Sequence, residues 1–185
     1  MNRNHDVCGS EEWRVVVRDE IVPWALGDGN LGDDVLEIGP GFGATIDVLR
    51  ERVARLTAVE IDPELAARLR ARLAGTNVEV VDGDATALDF GDDRFSGATC
   101  FSMLHHVPSS HLQDRLFAEV ARVVSAGGLF VACDSLHSED LAEFHEGDTY
   151  NPIDPDTAVA RLARCGFRDI DMDTNEFGWV TRATR

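Results

Sequence analysis

The chain has 185 residues, 44% apolar and 28% charged, enough for one domain with a sizeable core but too few for two full domains and a linker. A net charge of −17 argues against a general role on nucleic acid or an anionic membrane, while leaving room for a small local basic pocket. All 17 basic residues are arginine, which excludes Schiff-base chemistry and a Walker-type phosphate lysine.

From the N-terminus, residues 10–22 (SEEWRVVVRDEIV) open on a serine cap. Trp13, Val16, Val17, Glu20 and Ile21 fall at helical spacing, so a helix with one apolar face is predicted, closed by Pro23. Residues 35–38 predict the first strand, 44–52 the helix after it, and 56–59 a second strand. Pro63 stands where a helix begins, and PELAARLRARLA continues it. Residues 78–81 and 97–101 predict strands three and four. A helix from about 110 to 124 stops near the AGG at 126–128, and 129–133 form a fifth strand. Residues 155–164 predict a helix stopped by Gly166. Finally, 168–172 and 177–182 face each other across the polar turn DTNE.

Strands alternating with helices predict an α/β protein. The expected architecture is Rossmann-like and doubly wound, a mostly parallel seven-stranded sheet with an antiparallel C-terminal hairpin. Right-handed crossovers place its ligand crevice at the carboxyl ends of the strands, beside strand one. Cys8, Cys100, Cys133 and Cys165 are widely spaced and form no CxxC pair, so neither a disulfide framework nor a metal site is expected. No stretch reads as a signal peptide or reaches transmembrane length. The expectation is a soluble, cytoplasmic protein with no membrane partner. Nothing in the sequence specifies an oligomeric state.

The stretch VLEIGPGFGATIDVL (35–49) joins a strand to a helix through Gly39, Gly41 and Gly43. Such a turn lets a ligand approach the backbone closely and exposes amides at the helix start. A pyrophosphate is disfavoured there, because Glu37 lies two residues before the first glycine and the third glycine of G-x-G-x-x-G is missing. Glu60 ends strand two within reach of ribose hydroxyls, and Asp84 in VDGDA is placed to accept from an exocyclic amine. Three carboxylates at the same ends of three successive strands suit a cationic nucleoside.

VLEIGPGFG, LTAVEIDPEL, VVDGDATALDF, FSMLHHV and ARVVSAGGLFVACD, in this order and at these intervals, resemble the class I S-adenosylmethionine-dependent methyltransferases. The likeness is closest to the small-molecule branch with an LHH stretch after strand four, and is strongest over about 30–135. It implies one domain over 1–185: an N-terminal helical cap (1–30), a cofactor-binding core (31–135), then a substrate-side loop and C-terminal antiparallel strands (136–185). It implies S-adenosyl-L-methionine as cofactor, with Gly39, Gly41 and Gly43 walling its methionine and ribose. By the same likeness Glu37 sits near the amino group through water, Glu60 takes the ribose hydroxyls and Ile61 packs on the adenine. Asp84 bonds the adenine amine, Ala85 offers its backbone, and Ser102 touches the methionine end. Ser96-Gly97 departs from relatives that carry Asp after the Phe. No Asn/Asp-Pro-Pro-Tyr stretch follows strand four, which argues against the nucleic-acid amino-methyltransferases.

A sulfonium methyl is already activated, so the expected work of the protein is alignment and water exclusion, with a base needed only for an acceptor of high pKa. Candidate catalytic residues are His106, then His105, with Asp134 at the end of strand five; His137 is weaker. His5, His111 and His145 read as solvated. The segment HSEDLAEFHEGDTYNPIDP and the N-terminal residues His5, Cys8 and Trp13 are candidate lids or plain surface covering. The leading expectation is methyl transfer to a small-molecule acceptor, with no nucleic-acid partner. The alternatives are a non-catalytic S-adenosylmethionine-binding protein and an NAD(P)-dependent oxidoreductase.

Overall fold

The computed structural model describes residues 2–185. A 3-10 segment, Arg3–Gly9, leads into α1 (Glu11–Val16), whose first turn is capped by Ser10 Oγ accepting from the Trp13 amide. At Val17–Ile21 the helix widens into a π turn, in which the Val22 amide donates to Val17 O, and α2 (Val22–Leu26) continues from it. Pro23 therefore does not close the helix as its type suggests. The wide turn accommodates a residue without an N–H, and the chain runs on to Gly27, at φ 52°.

The sheet then builds in order. It comprises β1 (Asp34–Ile38), β2 (Arg55–Glu60), β3 (Val78–Asp82), β4 (Phe95–Phe101), β5 (Val124–Asp134), β6 (Arg168–Asn175) and β7 (Gly178–Thr184). The helices among these strands are α3 (Ala44–Leu49), α4 (Pro63–Arg72), α5 (Ser110–Val123), α6 (Glu139–Phe144) and α7 (Pro155–Arg164), with a 3-10 turn at Leu104–His106. Strand order is β3-β2-β1-β4-β5-β7-β6. β1 to β5 run parallel, and β7 lies antiparallel between β5 and β6. The expected seven-stranded Rossmann-like sheet and its antiparallel hairpin are borne out.

Both faces of the sheet are covered, which is why Val35–Ile38 of β1, Leu56–Glu60 of β2 and Gly97–Phe101 of β4 are buried continuously rather than at alternate positions. Leu36, Ile38, Phe130, Ala132 and Trp179 pack on one side with Leu116, Val120 and Leu162. Val35, Val131, Cys133 and Val180 pack on the other with Ile21, Val22, Ile46 and Leu69. Ser96-Gly97 has a structural reason. The Ser96 hydroxyl accepts from the Asp34 amide, and a Cβ at Gly97 would meet Leu31 O at 2.6 Å.

Some boundaries differ from expectation. α3 stops at Leu49 instead of residue 52. β5 begins at Val124 directly after α5, carrying the AGG as strand, because Val124 pairs with Phe95 across a register shift. β6 extends through DTN to Asn175 and β7 begins at Gly178, so the turn lies at 176–177. α6 is an added helix inside the weakly periodic loop; Ser138 Oγ caps it by accepting from the Leu141 amide. Among the described residues no helix is long and apolar enough to cross a membrane.

Candidate functional site

Strand order reverses direction at β1, and the carboxyl ends of β1, β2, β3 and β4 open there onto one cavity of about 800 Å³. The glycine turn forms its floor. Gly39 has φ 63°, and a Cβ there would meet Met103 Cγ at 2.2 Å. Gly41, at φ 54°, would have nothing within 4 Å of a Cβ, so the backbone there is bare to the cavity. Gly43 turns the other way, toward Leu69 and Arg72 of α4.

Glu60 is 4% exposed, and each of its oxygens is held by a backbone amide. Gly41 N donates to Oε2 at 2.9 Å and Asp62 N to Oε1 at 3.0 Å. Burial raises its pKa, against the pull of those amides. Beside it Ile61 is 68% exposed, a large apolar side chain on the cavity wall. Asp84 is exposed, its Oδ1 accepting from the Thr86 amide, and Ala85 and Ser102 complete this end. Ser102 sits at φ 50°, as its amide donates to Cys133 O.

Glu37 lies outside the lining. It is wholly buried, Thr45 Oγ1 donates to its Oε1, and Oε2 has no partner among the described residues. Burial, with Asp47 and Glu60 adding to it, pushes its pKa up to about 8. Thr45 does line the cavity and stands between Glu37 and the open space. Sequence reasoning passed over it, since a lone threonine at a helix start carries no distinctive signal.

At the opposite end, the 3-10 turn Leu104–His106 presents His106 to the cavity. His105 and Asp134 lie outside the lining and are bonded to each other. The His105 amide donates to Asp134 Oδ2 at 3.0 Å, and His105 Nδ1 donates to Oδ1 at 2.6 Å. The Ser135 amide also donates to Oδ1. The reading of His5 and His145 as solvated is corrected: they are 5% and 4% exposed, and both rings pack against His106. Tyr150 stacks on His145, with centroids 4.6 Å apart. Burial, followed by the neighbouring histidines, pushes the His106 pKa down to about 3. His111 and His137 are exposed. His5, Cys8 and Trp13 from the N-terminal segment, with Asp148 and Thr149 from the loop after α6, close the cavity at this end.

An order reversal at β1, a glycine turn with Glu60 bonded to the Gly41 amide, and carboxylates at successive strand ends fit a class I, Rossmann-like methyltransferase domain. The chain belongs to the methyltransferase domain family, whose profile matches residues 36–132, and its cofactor class is S-adenosylmethionine. A ribosomal RNA small subunit methyltransferase A from Cupriavidus pinatubonensis is 55% identical over 62 residues, covering 33% of this chain and 22% of that enzyme. The match therefore spans about a fifth of such a relative's length. An S-adenosylmethionine-dependent methyltransferase from Archaeoglobus fulgidus superposes over 98% of this chain and 97% of its own, with TM-score 0.75 and 17% identity. Phosphoethanolamine N-methyltransferase 2 from Haemonchus contortus, solved with S-adenosyl-L-methionine, superposes over 89% of this chain and 39% of its own, with TM-score 0.68 and 18% identity.

Proposed function

We propose that this chain transfers the methyl group of S-adenosylmethionine to a small-molecule acceptor bound at the histidine end of the cavity. The observation that carries the reading is one cavity lined by Glu60 and Asp84 from the β2 and β3 ends and by His5 and His106, with Asp148 beside them, from the other side of β1. Glu60 keeps an acceptor lone pair on each oxygen after its backbone bonds, which suits two ribose hydroxyls. Ile61 is an apolar surface that a flat base would cover, and Asp84 beside it suits an exocyclic amine. Gly41 leaves the space that a close ligand needs. Glu37, through Thr45 or a water, suits an ammonium group.

When bound, the cofactor supplies an activated sulfonium methyl. The protein then has to hold the acceptor in line and exclude water, a form of catalysis worth on the order of 7–11 kcal/mol when alignment is good. His106 is the residue we assign to the acceptor. His105 and Asp134 are positioning residues: their mutual bonds set the turn that presents His106.

The net charge of −17 and the partly enclosed cavity favour a small neutral or cationic acceptor. A second reading, an RNA acceptor, is favoured by the identity to the ribosomal RNA methyltransferases, although that match covers only a third of the chain. Thermal shift with S-adenosylhomocysteine against NAD tests the cofactor: the first should stabilise and the second should not. Release of S-adenosylhomocysteine with a metabolite panel, set against the same assay with ribosomal RNA, tests the acceptor. Turnover on RNA alone would overturn the small-molecule reading. Tight binding with no turnover on either would favour a non-catalytic binder.

A further inference from the structure

The acceptor end holds a feature that methyl transfer does not require. His5 Nδ1 lies 3.0 Å from Asn2 Oδ1 and 3.3 Å from Asn2 O. The Asn2 amide orientation is settled by its Nδ2, which donates to Phe144 O at 2.8 Å, so the atom facing His5 is the oxygen. His145 Nδ1 lies 2.6 Å from Leu141 O. Carbonyl oxygens only accept, so in both rings the proton sits on Nδ1 and Nε2 carries a bare lone pair. Both Nε2 atoms are buried and have no partner among the described residues. One ring nitrogen from each of His5, His106 and His145 lies within 4.8 Å of the other two.

Two buried nitrogens without a donor, in three imidazoles packed against one another, are unfavourable, and burial opposes relieving this by adding protons. A cation relieves it directly. Metal-bound histidines characteristically donate their other ring nitrogen to a carbonyl or carboxylate, the arrangement that Asn2 and Leu141 supply here. We propose that His5, His106 and His145 form a binding site for a divalent transition-metal ion of the Zn2+ class.

Three neutral imidazoles select such an ion over Mg2+ or Ca2+, which prefer oxygen ligands. Zn–N bonds of 2.0–2.1 Å in a tetrahedron put the nitrogens ~3.4 Å apart, so the rings close by at most about 1.4 Å. The ligands come from the N-terminal 3-10 segment, the Leu104–His106 turn and the end of α6, so the ion would tie three separate segments together. His5 and His106 both line the cavity, so a fourth coordination position opens toward the acceptor. A hydroxyl or thiol acceptor would fit there as its anion, having lost its proton to solvent.

The test uses the full chain freed of metal by a chelator. It is titrated with Zn2+ by calorimetry and with Co2+ by absorption spectroscopy. The expected result is one ion per chain with intense ligand-field bands of four-coordinate Co2+. His5→Ala and His145→Ala should bind at least about tenfold more weakly, while His111→Ala and His137→Ala, at exposed positions, should match the wild type. No saturable binding by the wild type, six-coordinate Co2+ bands, or equal affinity in the His5 and His145 variants would overturn the site. Should either variant fail to fold, the wild-type Co2+ spectrum decides alone. Neither readout involves S-adenosylmethionine, so failure of the metal site and failure of the cofactor reading are told apart.

Discussion

The two ends of the cavity solve opposite electrostatic problems. At the glycine end, the two oxygens of Glu60 are met by the amides of Gly41 and Asp62, so a buried carboxylate is carried by backbone dipoles. At the histidine end, His5 and His145 are tethered by one nitrogen each, while the other has no partner among the described residues. At the first end both Glu60 oxygens are already met by backbone amides. In the proposed reading, the cofactor is held at the first end and the acceptor meets the second.

The largest expected effect separates the ends most sharply. Asp134→Ala removes the acceptor of three bonds inside a buried site and should cost about 3–5 kcal/mol in urea denaturation. S-adenosylhomocysteine affinity of the folded variant should change little, because Asp134 supports only the histidine end. An equal loss of affinity would mean that the ends are not independent.

Glu37→Gln probes the buried carboxylate behind the glycine end. Its folded pKa of about 8 lies above the ordinary 4.5, so the folded state binds the proton more tightly than the unfolded chain does. Its contribution to stability is full below pH about 4.5 and is lost as pH rises through about 8. The ligand-free variant should thus be more stable than the wild type above pH 8, on the order of a few kcal/mol. The gain should vanish near pH 4, where both side chains are neutral. Melting temperature followed against pH checks this, and a pH-independent difference would rule out the assigned titration.

A third prediction grades the carboxylates within one end. Glu60→Ala and Asp84→Ala should each weaken S-adenosylmethionine binding about tenfold or more, at least ~1.4 kcal/mol, with the buried Glu60 costing more than the exposed Asp84. Calorimetry giving the reverse order would assign the ribose and adenine contacts differently. The smallest effect on stability belongs to Gly41→Ala. The added methyl meets only open space, so the cost is the strain of a positive φ, about 1 kcal/mol. Its cofactor affinity should fall further than its stability.

The glycine end was legible in the sequence and the histidine end largely was not. Gly39 and Glu60 stand where an apolar strand run stops, and Asp84 two residues past the third strand, so one local pattern names both the element and its exposed end. His5, His106 and His145 share no spacing, and only the folding of three distant segments brings them together. A histidine amid polar neighbours reads as solvated, so His5 and His145 were misplaced for the same reason. Pro23 misled because proline ends ordinary helices, and nothing in residues 17–21 announces a π turn. The AGG at 126–128 reads as a stop, yet cross-strand pairing to β4 draws it into β5.

The proposed function requires cofactor and acceptor to occupy chemically separate ends of one cavity. The most direct measurement is S-adenosylhomocysteine calorimetry on two variants side by side, Glu60→Ala and His106→Ala, with both confirmed folded. Glu60→Ala should bind about tenfold or more weakly and His106→Ala should stay within about twofold of the wild type. A large loss in His106→Ala with Glu60→Ala unaffected would contradict this.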